Sequence, residues 1–137
     1  MSIRFDDLRR ANVERLPLFK DRQGNTAHDS HDGSDWRPSD WLTAIVGEVG
    51  ELAGELKKAR RGDYGSDAKE AMRYGIVEGV HPVHTPIEVR EKIMREMADI
   101  VIYLDLLAHQ FNIDLGEAVA TKFNEVSNRI GVDVELK

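Results

Sequence analysis

Residues 45–56 read IVGEVGELAGEL and place three glutamates at helical spacing. Glu48, Glu51 and Glu55 follow one another at intervals of three and four residues, so they would share one stripe of an α-helix. Like charges at this spacing repel by about a few tenths of a kcal/mol per pair. Such a stripe is either a solvated helix face or one side of a cation site, and Glu55 can also pair with Lys58.

A second acidic motif, EMAD, repeats the spacing of EVGE on a later helix and places Glu96, Asp99 and Tyr103 on one stripe. If the apolar stripes bring both helices to a common core, the two acid pairs meet at the edge of that contact. Four carboxylates brought together cannot all stay ionised without a cation. The sequence therefore predicts a divalent metal site made of Glu48, Glu51, Glu96 and Asp99.

The kind of metal follows from the ligand types that are absent from the sequence. The chain has no cysteine, and no histidine lies three or four residues from any of the four acids. Carboxylate oxygens alone favour hard cations, so Mg²⁺ is expected, with Mn²⁺ as the alternative. Because Mg²⁺ retains waters and shares its shell with substrate phosphates, the predicted site indicates phosphate chemistry.

The charge balance limits the classes of partner. With 25 acids against 19 bases the formal net charge is −6, which argues against general nucleic-acid binding because that needs a basic surface. The longest apolar run, IVIYL, is far too short to span a bilayer, and nothing resembles a signal peptide. We expect a cytoplasmic protein that binds neither nucleic acid nor membrane, with one domain covering residues 1–137.

Helical periodicity dominates the chain and predicts an all-α, four-helix-bundle-like fold. The four main helices are expected at 4–16, 39–61, 85–110 and 114–130. Their inward stripes include Ile45, Val49, Leu52 and Leu56 in the second helix, and Ile93, Met97, Ile100, Leu104 and Leu107 in the third. Residues 62–84, which contain the short helical pattern SDAKEAMRYG, form an irregular insertion between the second and third main helices.

Residues that favour helix starts lie at three of these boundaries. Ser39 or Asp40 is suited to cap the second helix. The third helix begins at TPIE, where Thr85 precedes a proline and a glutamate. Asp114, followed by Glu117, repeats this capping pattern before the last helix.

The acidic motifs and their flanking residues resemble the MazG-like, all-α nucleoside triphosphate pyrophosphohydrolases, particularly the short phage and bacterial members. The matching segments are ANVER at 11–15, EVGELAGELKKARRG at 48–62, EMADIVIYLDLLA at 96–108 and FNIDLGEAVATKFNEVSNRIGV at 111–132. They cover most of the chain except residues 20–37 and 63–84. ExxE is common by itself, but taken together these motifs are fairly specific.

The resemblance implies hydrolysis of a nucleoside or deoxynucleoside triphosphate to the monophosphate and pyrophosphate. It implies that the four acids hold Mg²⁺ on the triphosphate, and that one of them, or the metal, activates the attacking water. dUTP, dCTP, dGTP and an alarmone are all open as substrates. Residues 52–95 separate the two acid pairs, and this separation is longer than is usual in compact members of the family. The additional residues, which fall within 62–84, could lengthen a helix, cover the pocket or form a subunit contact.

Further residues occupy positions that the resemblance places near the nucleotide. They are Asn12 and Arg15 in the first helix, Tyr103 one turn beyond Asp99 in the third, and Lys122, Asn124 and Arg129 in the last. Lys122 is suited to contact a phosphate as a point charge, although an exposed lysine is equally compatible with its position.

Two tryptophans flank the start of the second helix. Trp36 lies in a polar loop and is the candidate for stacking on a nucleobase, because aromatic faces suit that contact. Trp41, within the helix, is expected to be buried or half-buried. His28 and His31, in the same loop among aspartates, are expected to be solvated rather than to bind metal.

A bundle this small is expected to need a second copy to enclose a nucleotide, so a homodimer or homotetramer is predicted. Two other functions are compatible with the sequence. Phosphoribosyl-ATP pyrophosphohydrolase shares the general fold, although the KFN…R ending here is more similar to the MazG-like proteins. A non-catalytic helical module that binds nucleotide or metal, as a sensor or oligomerisation unit, would carry the same acids.

Overall fold

The computed structural model describes residues 2–28, 33–74 and 87–137, apart from the side chains of Ala71, Arg73 and Tyr74. The helices are α1 (Phe5–Arg15), α2 (Pro38–Arg61), α3 (Ser66–Tyr74), α4 (Ile87–Gln110) and α5 (Leu115–Ile130), with a 3₁₀ helix at Leu16–Leu18. Within this described part, extended pairing is limited to one isolated bridge between Lys20 and Thr26. The all-α prediction is therefore confirmed.

The predicted insertion contains α3, in agreement with the helical pattern SDAKEAMRYG. The rest of the insertion, together with Thr85 and the predicted start of the third main helix, lies outside the described residues, as does His31. Within the described ranges, none of the helices combines the length and hydropathy that a bilayer crossing requires.

Two helix starts differ in how well the sequence predicted them. α2 begins at Pro38, so its first residue precedes both Ser39 and Asp40, the residues expected to cap it. Asp40 instead accepts a hydrogen bond from the backbone N–H of Arg37 at 2.8 Å. Asp114 is confirmed as the cap of α5, since its Oδ1 accepts from the backbone N–H of Glu117 at 2.9 Å.

The chain divides into two compact units, and the divisions fall within α2 and α4. The first unit comprises Met1–Leu42 and Ile102–Lys137, and the second comprises Thr43–Val101. The single domain over residues 1–137 stays a prediction.

The core of the first unit is built on Leu16, Trp41 and Leu106, which are at most 1% exposed. The expected burial of Trp41 is thus confirmed. Gly33 lies against this core with a left-handed φ of +72°, and a Cβ there would lie 2.9 Å from both Leu16 Cδ2 and Trp41 Cζ2. Glycine is therefore required at this position both for backbone conformation and for space.

The core of the second unit is small and joins α2, α3 and α4. Ala59, Ala68 and Val89 are its fully buried members. Partly buried apolar side chains surround them, namely Tyr64, Met72 and Ile93.

Parts of the predicted inward stripes are exposed, which corrects the sequence-based expectation. Ile45 is buried, but Val49 and Leu56 on α2 are each more than one-third exposed, and Met97 on α4 is 55% exposed. Leu104, also on α4, is more than one-third exposed as well. Periodicity identifies the apolar face of a helix, but the burial of that face depends on how many other elements pack against it.

Candidate functional site

Three of the four predicted metal ligands come together within the second unit. Glu48 of α2 and Glu96 and Asp99 of α4 each offer a carboxylate oxygen, and these oxygens all lie within 4.8 Å of one another. The three side chains are partly buried. Glu96 and Asp99 share a face of α4 because residues three apart are neighbours on a helix surface.

The electrostatics of this acidic group favour a positive charge. Partial burial raises the pKa of Glu48, and the neighbouring carboxylates of Glu51, Asp99 and Glu96 raise it further. Burial removes water from the ionised form, and like charges repel it. Either a proton or a cation among the acids relieves this repulsion.

Glu51 borders the group without belonging to it. Its side chain is exposed, and it is not among the three acids whose oxygens lie together. Its carboxylate is nevertheless the strongest of the charged neighbours that raise the pKa of Glu48. Glu51 thus lies close enough to act on the same charge, and its role as a metal ligand stays a prediction.

Glu55, the third acid of the α2 stripe, is engaged in structural contacts. Its Oε1 accepts a hydrogen bond from Lys58 Nζ at 2.6 Å, and its Oε2 accepts one from the Tyr64 hydroxyl. The hydrogen bonds from Lys58 and then Tyr64 lower the pKa of Glu55. Lys92 Nζ in turn donates to the Tyr64 hydroxyl at 3.2 Å, so this group links α4 to α2. The predicted Glu55–Lys58 pair is confirmed.

An aromatic cluster lies in the first unit around Trp41. The ring centroid of Trp36 lies 4.6 Å from that of Trp41, and the centroid of Tyr103 lies 6.4 Å away. His28 stacks on Trp41 with a centroid distance of 5.5 Å. Trp36 and Tyr103 are partly buried, so both nucleotide-contact candidates of this cluster lie beside one buried ring.

The expectation that His28 is solvated is wrong, since its side chain is only 5% exposed. Rings of Phe19, Trp36 and Trp41 surround it, and their contacts replace the water that a loop histidine would otherwise have. His28 Nδ1 lies 3.3 Å from Asp35 Oδ1, close enough for an ion pair if the histidine is protonated, but without the alignment of a hydrogen bond. Trp41 Nε1 is buried and makes no hydrogen bond within the described residues.

Asn12 and Arg15 of α1 are connected to a buried carboxylate that the sequence analysis did not single out. Asp105 of α4 is 1% exposed, and its Oδ2 accepts from Asn12 Nδ2 at 2.9 Å. Asn12 Oδ1 accepts from Arg15 Nη2 at 3.1 Å. Arg9 donates through Nε to Asp105 Oδ1 at 3.0 Å. The available signal was an acid inside the otherwise apolar run IVIYLDLLA.

The candidate residues of α5 are exposed or engaged near the C-terminus. Lys122 Nζ donates to Glu125 Oε1 at 2.7 Å on the helix surface. Asn124 binds the backbone of Leu136 at two points, since its Nδ2 donates to the carbonyl oxygen at 3.0 Å and its Oδ1 accepts from the N–H at 2.8 Å. Arg129 is exposed. Their contact with a nucleotide stays a prediction.

Comparison with known proteins shows a similarity to a nucleotide pyrophosphatase. No protein-family model matches the chain. The chain is similar to dCTP pyrophosphatase 1 of Mus musculus, with 33% identity over 102 residues. The aligned region is 72% of this chain and 51% of that protein, so the chain spans about half the length of the curated relative it matches.

Proposed function

We propose that this chain is a metal-dependent pyrophosphohydrolase of the MazG-like type, which splits a nucleoside or deoxynucleoside triphosphate into the monophosphate and pyrophosphate. The observation that carries the proposal is the group of Glu48, Glu96 and Asp99, whose carboxylate oxygens lie within 4.8 Å of one another. The 33% identity to a dCTP pyrophosphatase supports the same class of reaction.

The acidic group fits a divalent cation of the magnesium class. Glu48, Glu96 and Asp99 supply only oxygen donors, the ligands that Mg²⁺ and Mn²⁺ prefer. Their mutual repulsion, which contributes to the raised pKa of Glu48, is relieved by a positive charge. We assign Glu51 as a fourth ligand because it follows Glu48 by three residues on α2, as Asp99 follows Glu96 on α4.

When bound, the cation would shield the phosphate charges and lower the pKa of a coordinated water. In the hydrolysis, the water oxygen forms a bond to a phosphorus atom while the bond from that phosphorus to the departing phosphate oxygen breaks. Attack at the α or the β phosphorus gives the same two products. A carboxylate oxygen of the group that does not contact the cation accepts the proton of the water.

We assign the nucleobase to Trp36. Trp41 and His28 are buried, so they support the neighbouring ring rather than contact a ligand. Trp36 is only partly buried and packs at an angle on both of them, which fixes the orientation of its ring. Stacking of a base on such an aromatic side chain contributes about 1–3 kcal/mol. Tyr103 is the second candidate for the nucleoside.

Arg15, Lys122 and Arg129 are assigned to the phosphates, with Asn124 as a hydrogen-bonding neighbour. Lys122 is paired with Glu125 at the surface, and such exposed pairs contribute only about 0–1 kcal/mol. A phosphate, which carries more charge than a carboxylate, can therefore replace Glu125 as the partner of Lys122.

A second copy of the chain is proposed to cover exposed apolar positions of the second unit, as a homodimer or homotetramer. Val46 on α2 is 61% exposed and Met94 on α4 is 59% exposed. Val49 and Met97, each three residues further along, are also exposed. Large apolar side chains that are grouped on helix faces in this way are typical of surfaces that bind another protein.

The proposal is tested by incubating the purified chain with dUTP, dCTP, dGTP and the ribonucleotides, each with Mg²⁺ or Mn²⁺, and separating the products by chromatography. We expect monophosphate and pyrophosphate from at least one triphosphate, with no product when EDTA replaces the metal. Mg²⁺-linked thermal stabilisation without product from any triphosphate would instead identify a non-catalytic binding module.

A matched pair of variants on α4 assigns the activity to the acidic group. Glu96→Gln removes a carboxylate of the group and should reduce turnover by about a hundredfold or more. Glu91→Gln makes the same chemical change at an exposed position of the same helix and should retain activity. Equal turnover in the two variants would contradict the assignment of the acids.

A further inference from the structure

The arginines of α1 differ in the kind of partner that holds them. Two pair with carboxylates, Arg9 with Asp105 at 2.9 Å and Arg10 with Asp7 at 2.6 Å. Arg15 instead donates to the neutral amide oxygen of Asn12 at 3.1 Å. Its positive charge is therefore not compensated by any carboxylate of the described residues.

The Arg15 guanidinium is nevertheless held in place. Its Cζ lies 5.4 Å from the centroid of the Phe19 ring, a distance at which a cation is attracted to the aromatic face. Together with the Asn12 bond, this gives the side chain two contacts that leave its other N–H donors available. Arg15 is exposed, so those donors can bind an anion such as a phosphate.

Asn12 has both of its N–H donors engaged, and its Oδ1 accepts a hydrogen bond from Arg15. Its Nδ2 donates to the carbonyl oxygen of Ile102 at 3.3 Å and to Asp105 Oδ2 at 2.9 Å, while its Oδ1 accepts from Arg15. The amide orientation is set by chemistry, because a carboxylate only accepts and a guanidinium only donates. Asn12 is also buried, so its role is to orient Arg15 rather than to contact a ligand.

The buried carboxylate of Asp105 anchors this hydrogen-bond network. Arg9 binds it on one side through Oδ1, and Asn12 binds it on the other through Oδ2. The Arg9 charge compensates the buried carboxylate, which would otherwise be strongly disfavoured. Asp105 is therefore paired with Arg9 and orients the Asn12 amide without a contact to Arg15 itself.

We infer that Asn12 and Asp105 are positioning residues, which hold the uncompensated guanidinium of Arg15 to receive a phosphate group of the nucleotide. The inference rests on the proposed function for the identity of the anion. The network leaves the charge of Arg15 available, since a carboxylate in place of the Asn12 amide would neutralise it.

The test combines kinetics with a measurement that needs no activity. KM and kcat for dCTP with Mg²⁺ are measured for Asn12→Ala, Arg15→Ala and the double variant, with Arg10→Ala as a control for the loss of one positive charge. Arg15→Ala should raise KM by about tenfold, and Asn12→Ala by about threefold or more, with kcat changed less than KM. The double variant should match Arg15→Ala, and Arg10→Ala should match the wild type.

The second measurement is the ¹⁵N relaxation of the arginine Nε–Hε groups in the ligand-free protein. Arg15 should be ordered in the wild type and should approach the mobility of the exposed Arg22 in Asn12→Ala. Asn12→Ser, which retains a small polar group, serves if the alanine variant does not fold.

The outcomes separate the positioning role from the proposed function. An Arg15 Nε order unaffected by the Asn12 variants would overturn the positioning role, as would a further rise in KM when Asn12→Ala is added to Arg15→Ala. Absence of hydrolysis by the wild type with every triphosphate would refute the proposed function alone, and relaxation would still decide whether Asn12 orders Arg15.

Discussion

Replacing Glu48 by glutamine should stabilise the metal-free protein and abolish its response to Mg²⁺. The carboxylate oxygens of Glu48, Glu96 and Asp99 lie within 4.8 Å of one another. Two unit charges at that distance repel by about 1 kcal/mol in bulk water, and by about 3.5 kcal/mol at an effective dielectric constant of about 20. Because the three side chains are only partly buried, solvent screening favours the lower value.

The magnitude of the effect follows from the two charge pairs that Glu48 forms with the acids of α4. Glutamine keeps the size of the side chain and removes these two repulsions together with that of Glu51, so the free energy of unfolding should rise by about 1–2 kcal/mol. In a chain of 137 residues this corresponds to a rise in Tm of about 3–8 °C. High salt should reduce the difference, because it screens exposed charges.

The assay is thermal unfolding followed by circular dichroism, in EDTA and in excess Mg²⁺. The wild type should gain about 3 kcal/mol at a metal concentration of about 100 times the Kd, whereas Glu48→Gln should gain little. Glu91→Gln is the control and should behave as the wild type under both conditions. The reasoning is refuted if Glu48→Gln is less stable than the wild type in EDTA, or if it keeps the full response to Mg²⁺.

Three further predictions concern packing, pH and assembly. Gly33→Ala should lower the free energy of unfolding by about 2–4 kcal/mol in urea titrations, because its φ is +72° and its Cβ would lie 2.9 Å from two core side chains; stability near that of the wild type would contradict the close packing. Glu55→Gln should be destabilised at about pH 7 but not at about pH 2. The hydrogen bond from Lys58 lowers the pKa of Glu55 from its ordinary 4.5. This stabilisation is therefore present above pH 4.5 and is lost as the pH falls through the lowered pKa. A difference in stability between the variant and the wild type that does not change with pH would argue against this assignment. Met94→Glu should convert the proposed oligomer to monomers in sedimentation velocity, and an unchanged sedimentation coefficient would exclude Met94 from the interface.

The parts of the fold that were predicted correctly depend on neighbours along the chain. Asp114 caps α5 through a residue three positions away, and Glu55 pairs with Lys58 over the same spacing. Helical periodicity likewise placed Glu96 and Asp99 on one face of α4. These interactions are contained within one or two helical turns, so the sequence alone carries the information they need.

The expectations that the structure corrected depend on residues distant in sequence. His28 was expected to be solvated, but rings from the α2 region cover it. Met97 belongs to an apolar stripe and is still exposed, because nothing described in its own unit covers it. The contact of Asn12 with Asp105 joins α1 to α4, and helical periodicity does not predict this contact.

By itself, the sequence determined the helical class, the two acid pairs, their oxygen-only chemistry and the resemblance that indicates triphosphate hydrolysis. Only the tertiary structure decided that Glu48 meets Glu96 and Asp99 while Glu51 stays at the border and Glu55 also binds the Tyr64 hydroxyl. The physical reason is that helical spacing fixes the direction of a side chain around its own axis. The distance from that side chain to a carboxylate on another helix is set by how the two helices pack.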